Sequence, residues 1–125
     1  MGSRKSSDSK YFLYGSLIII IAVAAYALIP RNSGPGKFDD LAKCLSEKGT
    51  VMYGTEWCPH CKEQKKMFGS SFQYVNYVDC DRQREACLRE GVNGYPTWKF
   101  ADGSTAEGTT SLYTLAQRSG CTLSS

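Results

Sequence analysis

Cys58 and Cys61 stand two residues apart in the run Glu56-Trp57-Cys58-Pro59-His60-Cys61-Lys62, and this spacing constrains the fold more than any other feature of the chain. Side chains three apart meet on one face when the backbone is helical, so the pair belongs on a single turn. A β-prone stretch, Thr50 to Tyr53, precedes it, and a helix through about Phe68 follows. Cys58 is therefore placed at a strand-to-helix junction. There the unpaired N–H groups of the first turn and the positive end of the helix dipole stabilise a thiolate. Cys58 is the expected nucleophile. Cys61 is the expected resolving thiol, able to attack a mixed disulfide formed at Cys58 and release the substrate. The spacing points to thiol-disulfide exchange.

Two other uses of a C-x-x-C motif fit poorly. Lys62, not His, follows Cys61, which removes the haem-attachment reading. Cysteines 44, 80, 87 and 121 lack the second close pair of a zinc ribbon, so no metal and no cofactor is expected. Six cysteines in 125 residues agree with an oxidising compartment.

The chain divides into a short basic tail over 1–10, an apolar segment over 11–29, a linker over 30–37 and a domain over 38–121. The segment YFLYGSLIIIIAVAAYALI has no charge and spans about 28 Å at the helical rise, close to the thickness of a bilayer's hydrocarbon core. Arg4, Lys5 and Lys10 precede it, opposed only by Asp8, which favours an inside N-terminus and an exported domain. Membrane attachment through 11–29 is one reading. Cleavage is the other, because Ala25-Tyr26-Ala27 has the small-x-small form of a signal-peptidase site. The linker, RNSGPGK after Pro30, reads as a flexible tether. Taking Arg4, Lys5, Lys10 and Asp8 from the 15 basic and 12 acidic residues leaves a net charge of +1 beyond the apolar run. That excludes a nucleic-acid partner, and Lys62, Lys65 and Lys66 read as the solvated side of one helix.

Periodicity predicts further elements. Phe38 to Lys48 is helical and stops at Gly49, Gln73 to Val78 alternates like a strand, and Arg82 to Glu90 is helical up to Gly91. Thr97 to Ala101 and Ser104 to Glu107 flank Asp102-Gly103, a two-residue hairpin signal, ahead of a last helix from about Ser111 to Ser119. Trp98 and Phe100 alternate with Lys99 and are expected to face the core. The class is α/β, a mixed central sheet flanked by helices.

Strand, Trp57-Cys58-x-x-Cys61, helix, then Gly94-Tyr95-Pro96-Thr97 entering a hairpin resembles the thioredoxin fold over residues 38 to 121. Met52-Tyr53-Gly54 before the motif and Gly94-Tyr95-Pro96-Thr97-Trp98 after it are most similar to the thioredoxin-like domain associated with vitamin K epoxide reductase homologues. The resemblance implies a cis Pro96 facing the C-x-x-C motif, with the backbone of Tyr95 offering strand-like hydrogen bonds to a substrate peptide. It implies cysteine-containing protein substrates and, on a separate chain, a quinone-linked membrane partner of the epoxide-reductase type. Trp57 is expected to border the substrate surface. Pro59 and His60, between the cysteines, tune the potential, since a partly charged imidazole beside Cys58 stabilises its thiolate. The Pro-His pair is similar to that of bacterial periplasmic oxidases, which adds weight to donation of disulfides.

One position departs from the pattern. Thioredoxins carry a buried acid six residues before the first active-site cysteine, and Met52 stands there. Deprotonation of Cys61 then falls to water, the substrate or a neighbour, with Glu56 and Lys62 as candidates. The remaining cysteines allow three pairings. Local pairing of Cys80 with Cys87 leaves Cys44 to Cys121, tying the ends of the domain. Cys80 and Cys87 are expected to be structural, with a second redox pair as the alternative.

Overall fold

The structure is a computed structural model that describes residues 8–29 and 35–124. Arg4 and Lys5 of the basic tail and residues 30–34 of the expected linker lie outside the described residues. The N-terminal helix and the remainder are separate compact units. Helix α1 runs Asp8–Ala27, starting three residues before the apolar segment and stopping two short of Ile29. Residues Lys10 to Ile29 are all exposed. The window Lys10–Ala27 has a mean hydropathy of 1.7 and is long and apolar enough to cross a membrane.

The second unit runs α2 (Asp39–Glu47), β1 (Val51–Gly54), α3 (Pro59–Phe68), a 3₁₀ segment (Gly69–Tyr74), β2 (Asn76–Asp79), α4 (Arg84–Arg89), β3 (Thr97–Lys99), β4 (Thr105–Glu107) and α5 (Leu112–Ser119). The sheet order is β2-β1-β3-β4, with β1 and β2 parallel and the other pairs antiparallel. A parallel pair needs a crossover, and α3 with the 3₁₀ segment supplies it. This mixed sheet with helices packed on it is the architecture the resemblance implies.

Register decides where the core sits. Met52 pairs with Tyr77 on one side and Trp98 on the other, and Trp98 pairs with Ala106, so these four residues share one face. Against that face pack Leu41, Ala42 and Leu45 of α2, Cys61 and Phe68 of α3, and Leu112, Leu115 and Ala116 of α5. Trp98 and Phe100 both lie in this core. The other face is smaller, with Tyr53, Val78, Val92, Cys80 and Cys87. Truncating any fully buried leucine of the larger core to alanine costs about 2–5 kcal/mol.

Three expectations shift. Strand β2 begins at Asn76, not Gln73, because Gly69–Tyr74 is a 3₁₀ turn. Tertiary partners hold that turn: the Ser71 hydroxyl accepts the Phe38 N–H at 3.0 Å, and the Phe72 ring packs 6.1 Å from Phe68 and 5.7 Å from Tyr77. Helix α4 is two residues later in starting than Arg82, since the Arg82 and Gln83 N–H groups bond to the Asp79 carbonyl in a turn. The hairpin loop has three residues. Phe100 donates its N–H to the Ser104 carbonyl at 2.9 Å, Gly103 donates to Phe100 at 2.9 Å, and Gly103 sits at φ +83°. A turn closed by a left-handed glycine fits the sheet twist as well as a two-residue one.

Candidate active site

Cys58 is the N-cap of α3, in extended conformation at φ −69° and ψ 121°, and Pro59 occupies the first helical position. Proline is pre-set there, and its missing N–H is one the helix leaves unpaired anyway. The Cys58 sulfur takes the capping role that a hydroxyl or carboxylate oxygen usually fills, accepting the Cys61 N–H at 3.4 Å. Its thiol faces the Tyr95 carbonyl at 3.5 Å. Cys58 and Cys61 are both free thiols. Both are buried, Cys58 at 5 % exposure and Cys61 at none, so Cys58 is the more accessible of the two.

Cys61 lies in a pocket that β1 makes possible. A Cβ on Gly54 would fall 2.8 Å from the Cys61 sulfur, which is why the strand ends on glycine. The Cys61 thiol is pushed up to about 12, mainly by burial and further by Cys58, while the Thr55 backbone amide and the Lys65 ammonium pull it back. Met52 is fully buried on the same face, inside the apolar core.

The other expected site residues divide between a face and its rim. The Tyr95-Pro96 peptide is cis, and the Tyr95 carbonyl is the one that faces Cys58. Trp57 is 63 % exposed and meets the Tyr95 ring edge-on with centroids 6.3 Å apart. Trp57, Cys58 and Tyr95 thus lie together, whereas the Pro96 side chain, expected to face the substrate, is fully buried. Pro59 and His60 are exposed on the first turn of α3. The His60 imidazole faces Glu63 at 3.7 Å, and its carbonyl accepts the Thr109 hydroxyl at 3.4 Å. Cys44 is bridged to Cys121 and Cys80 to Cys87, with Cα separations of 6.0 and 5.8 Å, and Tyr95 packs against the Cys80–Cys87 cluster. Gly120, at φ +76°, ends α5 and turns the chain so that Cys121 reaches α2.

The three lysines of α3 are not one solvated set. Lys62 and Lys66 are exposed, but the Lys65 side chain is 24 % exposed and pairs with Glu56 at 2.7 Å. Its stem crosses the sheet face, where the ammonium lies 4.1 Å from the Tyr77 ring centroid. Gln64 belongs to no sequence motif. This fully buried amide bonds the Thr110 carbonyl at 2.9 Å, the Thr110 N–H at 2.7 Å and the Trp98 indole N–H at 3.1 Å. It ties the active-site helix to β3 and to the start of α5. Helical spacing carried the signal, since Cys61, Gln64 and Phe68 are the buried positions of α3.

Comparison with known proteins agrees with this geometry. The family model described as Thioredoxin matches residues 35–117. Thiol-disulfide oxidoreductase LTO1 of Arabidopsis thaliana is 38% identical over 92 residues, 66% of this chain and 24% of that protein. Protein disulfide-isomerase tigA of Aspergillus niger is 30% identical over 96 residues, 70% of this chain and 25% of that protein. Protein disulfide-isomerase erp38 of Neurospora crassa is 31% identical over 111 residues, 76% of this chain and 29% of that protein. The chain spans about a quarter of the length of these curated relatives. With the family model covering well over half of its residues, and a mixed sheet that delivers Cys58 to the head of α3, the chain belongs to the thioredoxin family.

Proposed function

We propose that this protein is a membrane-tethered thiol-disulfide oxidoreductase that donates disulfides to exported, cysteine-containing proteins through Cys58 and Cys61. The observation that carries the reading is the asymmetry of the pair: the Cys58 sulfur caps the helix and keeps slight exposure, and Cys61, one turn on, is fully buried. A substrate thiolate attacks the Cys58 sulfur of the oxidised pair, Cys61 leaves, and a second substrate thiol then displaces Cys58 to form the new bond. The helix N-terminus favours negative charge on Cys58 as it departs, which stabilises the reduced pair and makes the oxidised pair a better donor. Trp57 and Tyr95 border the approach of the substrate, Pro96 supports Tyr95 from a buried position, and His60 tunes the potential. Residues 11–29 hold the domain on the extracytoplasmic side. A quinone-linked membrane protein of the vitamin K epoxide reductase type restores the disulfide.

A reduction potential tests the direction. Equilibration of the protein with glutathione should give roughly −200 to −120 mV, toward the oxidising end of the range, and a value at or below about −270 mV would reject disulfide donation. A neutral residue at His60 should lower the potential.

The isomerase activity named for several relatives is favoured by one observation. Burial that raises the Cys61 thiol slows its attack on a mixed disulfide, and a substrate held longer on Cys58 has time to rearrange.

A further inference from the structure

We propose that the Lys65 ammonium, held over the Tyr77 ring by Glu56, is the charge that lets buried Cys61 act as a thiolate in this chain. The inference rests on the reading of Cys58 and Cys61 as the exchanging pair. Lys65 is a positioning residue: it acts through Cys61 and touches no substrate.

Three placements carry it. Lys65 follows Cys61 by four residues on α3, so both side chains lie on the same side of that helix. The Cys61 sulfur and the Tyr77 ring edge converge above Gly54, at 2.8 and 3.3 Å from the point where a Cβ would stand. Over that ring sits the Lys65 ammonium, 4.1 Å from its centroid, 5.4 Å from that of Phe72 and 2.7 Å from Glu56. Cys61, Tyr77 and Lys65 therefore form one stack beneath the motif. A lysine three-quarters withdrawn from water is screened less than a surface one, so its charge reaches a buried sulfur.

The Thr55 backbone amide also favours the Cys61 thiolate, as a dipole, and among the surrounding described groups Lys65 is the one that does so with a full charge. Lys65 comes from α3 and Cys58 from its cap, Thr55 and Glu56 from the loop after β1, Tyr77 and Asp79 from β2, and Arg82 from the turn after it, where it pairs with Asp79. Tyr77 is half-buried with its hydroxyl enclosed, and is raised by that burial and by Glu56 and Asp79, so it stays a neutral phenol. Glu56 is held down chiefly by its hydrogen bond with Lys65 and stays a carboxylate. Met52 is apolar. Lys65 is the cation left to oppose burial of the Cys61 thiolate.

In resolution, Cys61 gives its proton to water, and its lone pair forms the bond to the Cys58 sulfur. The bond from Cys58 to the substrate sulfur breaks, and that sulfur leaves with the electron pair as a thiolate and is protonated by water. Two electrons pass from the enzyme dithiol to the substrate disulfide. In the reverse direction Cys61 is the leaving thiolate, and the same charge stabilises it.

The test uses the reduced full chain mixed with excess oxidised glutathione, with acid-quenched samples weighed by mass spectrometry. Formation of the Cys58-glutathione adduct reports the first attack and its decay reports Cys61. Lys65→Met should slow decay about tenfold at neutral pH, so that about one pH unit more is needed to recover the rate, with formation changed less than twofold. Lys65→Arg should restore most of the decay rate. If Lys65→Met fails to fold, Lys65→Gln against Lys65→Arg makes the same comparison. Unchanged decay, equal slowing of both steps, or Lys65→Arg as slow as the neutral variants would overturn the proposal. Disulfide donation fails on the potential and this inference fails on the decay rate, so neither failure implies the other.

Discussion

Two strand-to-helix junctions lie side by side where the parallel strands β1 and β2 end, and each carries two cysteines with opposite fates. Gly54 pairs with Asp79 in register, and Cys80 extends the ladder by donating its N–H to the Gly54 carbonyl at 2.8 Å. After β1, four residues lead to the helix and the last of them, Cys58, caps it; Pro59 begins it, and both sulfurs remain free. After β2, four residues also lead to the helix, but here the cysteine is the first of them: Cys80 stays on the strand side of the turn Asp81 to Gln83, and a bond to Cys87 closes the span. Helix α4 has six residues and no side-chain cap. The lesson is positional. A cysteine that is the cap has its sulfur among unpaired N–H groups, which suits exchange. A cysteine held in the ladder and buried behind a turn suits a staple.

The sharpest way to break this comparison is at the motif. Cys58→Ser should lose exchange essentially completely, whereas Cys61→Ser should accumulate substrates as mixed disulfides through Cys58. Non-reducing gels read both, and equal trapping by the two variants would sink the assignment of roles.

The staples come next. Replacing both Cys44 and Cys121 should cost up to about 4.5 kcal/mol, and replacing both Cys80 and Cys87 about 2.5 kcal/mol, because the longer loop constrains the unfolded chain more. Urea unfolding measures each. Exchange by Cys58 and Cys61 should persist at near its original rate in the Cys80/Cys87 variant while it remains folded. A large loss of turnover there, without loss of stability, would make the second junction a redox partner of the first.

The smallest effect is a pH dependence that only the reduced protein should show. Cys61 is raised in the folded state from an ordinary 9.0 to about 12, so between those values the folded chain keeps a proton that the unfolded chain gives up. Stability is therefore undiminished below about pH 9 and falls as pH rises toward about 12. Oxidation of the pair removes the titrating thiol. The difference in denaturation midpoint between reduced and oxidised protein should shift against the reduced form across that window. A difference independent of pH would show that burial of Cys61 is not what raises it.

Local rules made much of this molecule legible in advance. The spacing of Cys58 and Cys61, a proline at the first helical position, glycines after the helices, and the alternation of Trp98 and Phe100 each depend on neighbours within a turn or a strand. The apolar segment is legible for the same reason, since length and absence of charge are properties of the chain itself. What escaped lies across the fold. The stretch from Gly69 to Tyr74 reads as the approach to a strand until Ser71 meets Phe38 and Phe72 meets Phe68. Gln64 reads as one more polar helix residue until Trp98 and Thr110, 34 and 46 positions away, claim its amide. Lys65 is indistinguishable from Lys62 and Lys66 in sequence. Only the packing of α3 on β2 lays one of the three over Tyr77, because long-range contacts, unlike periodicity, are set by which faces the sheet brings together.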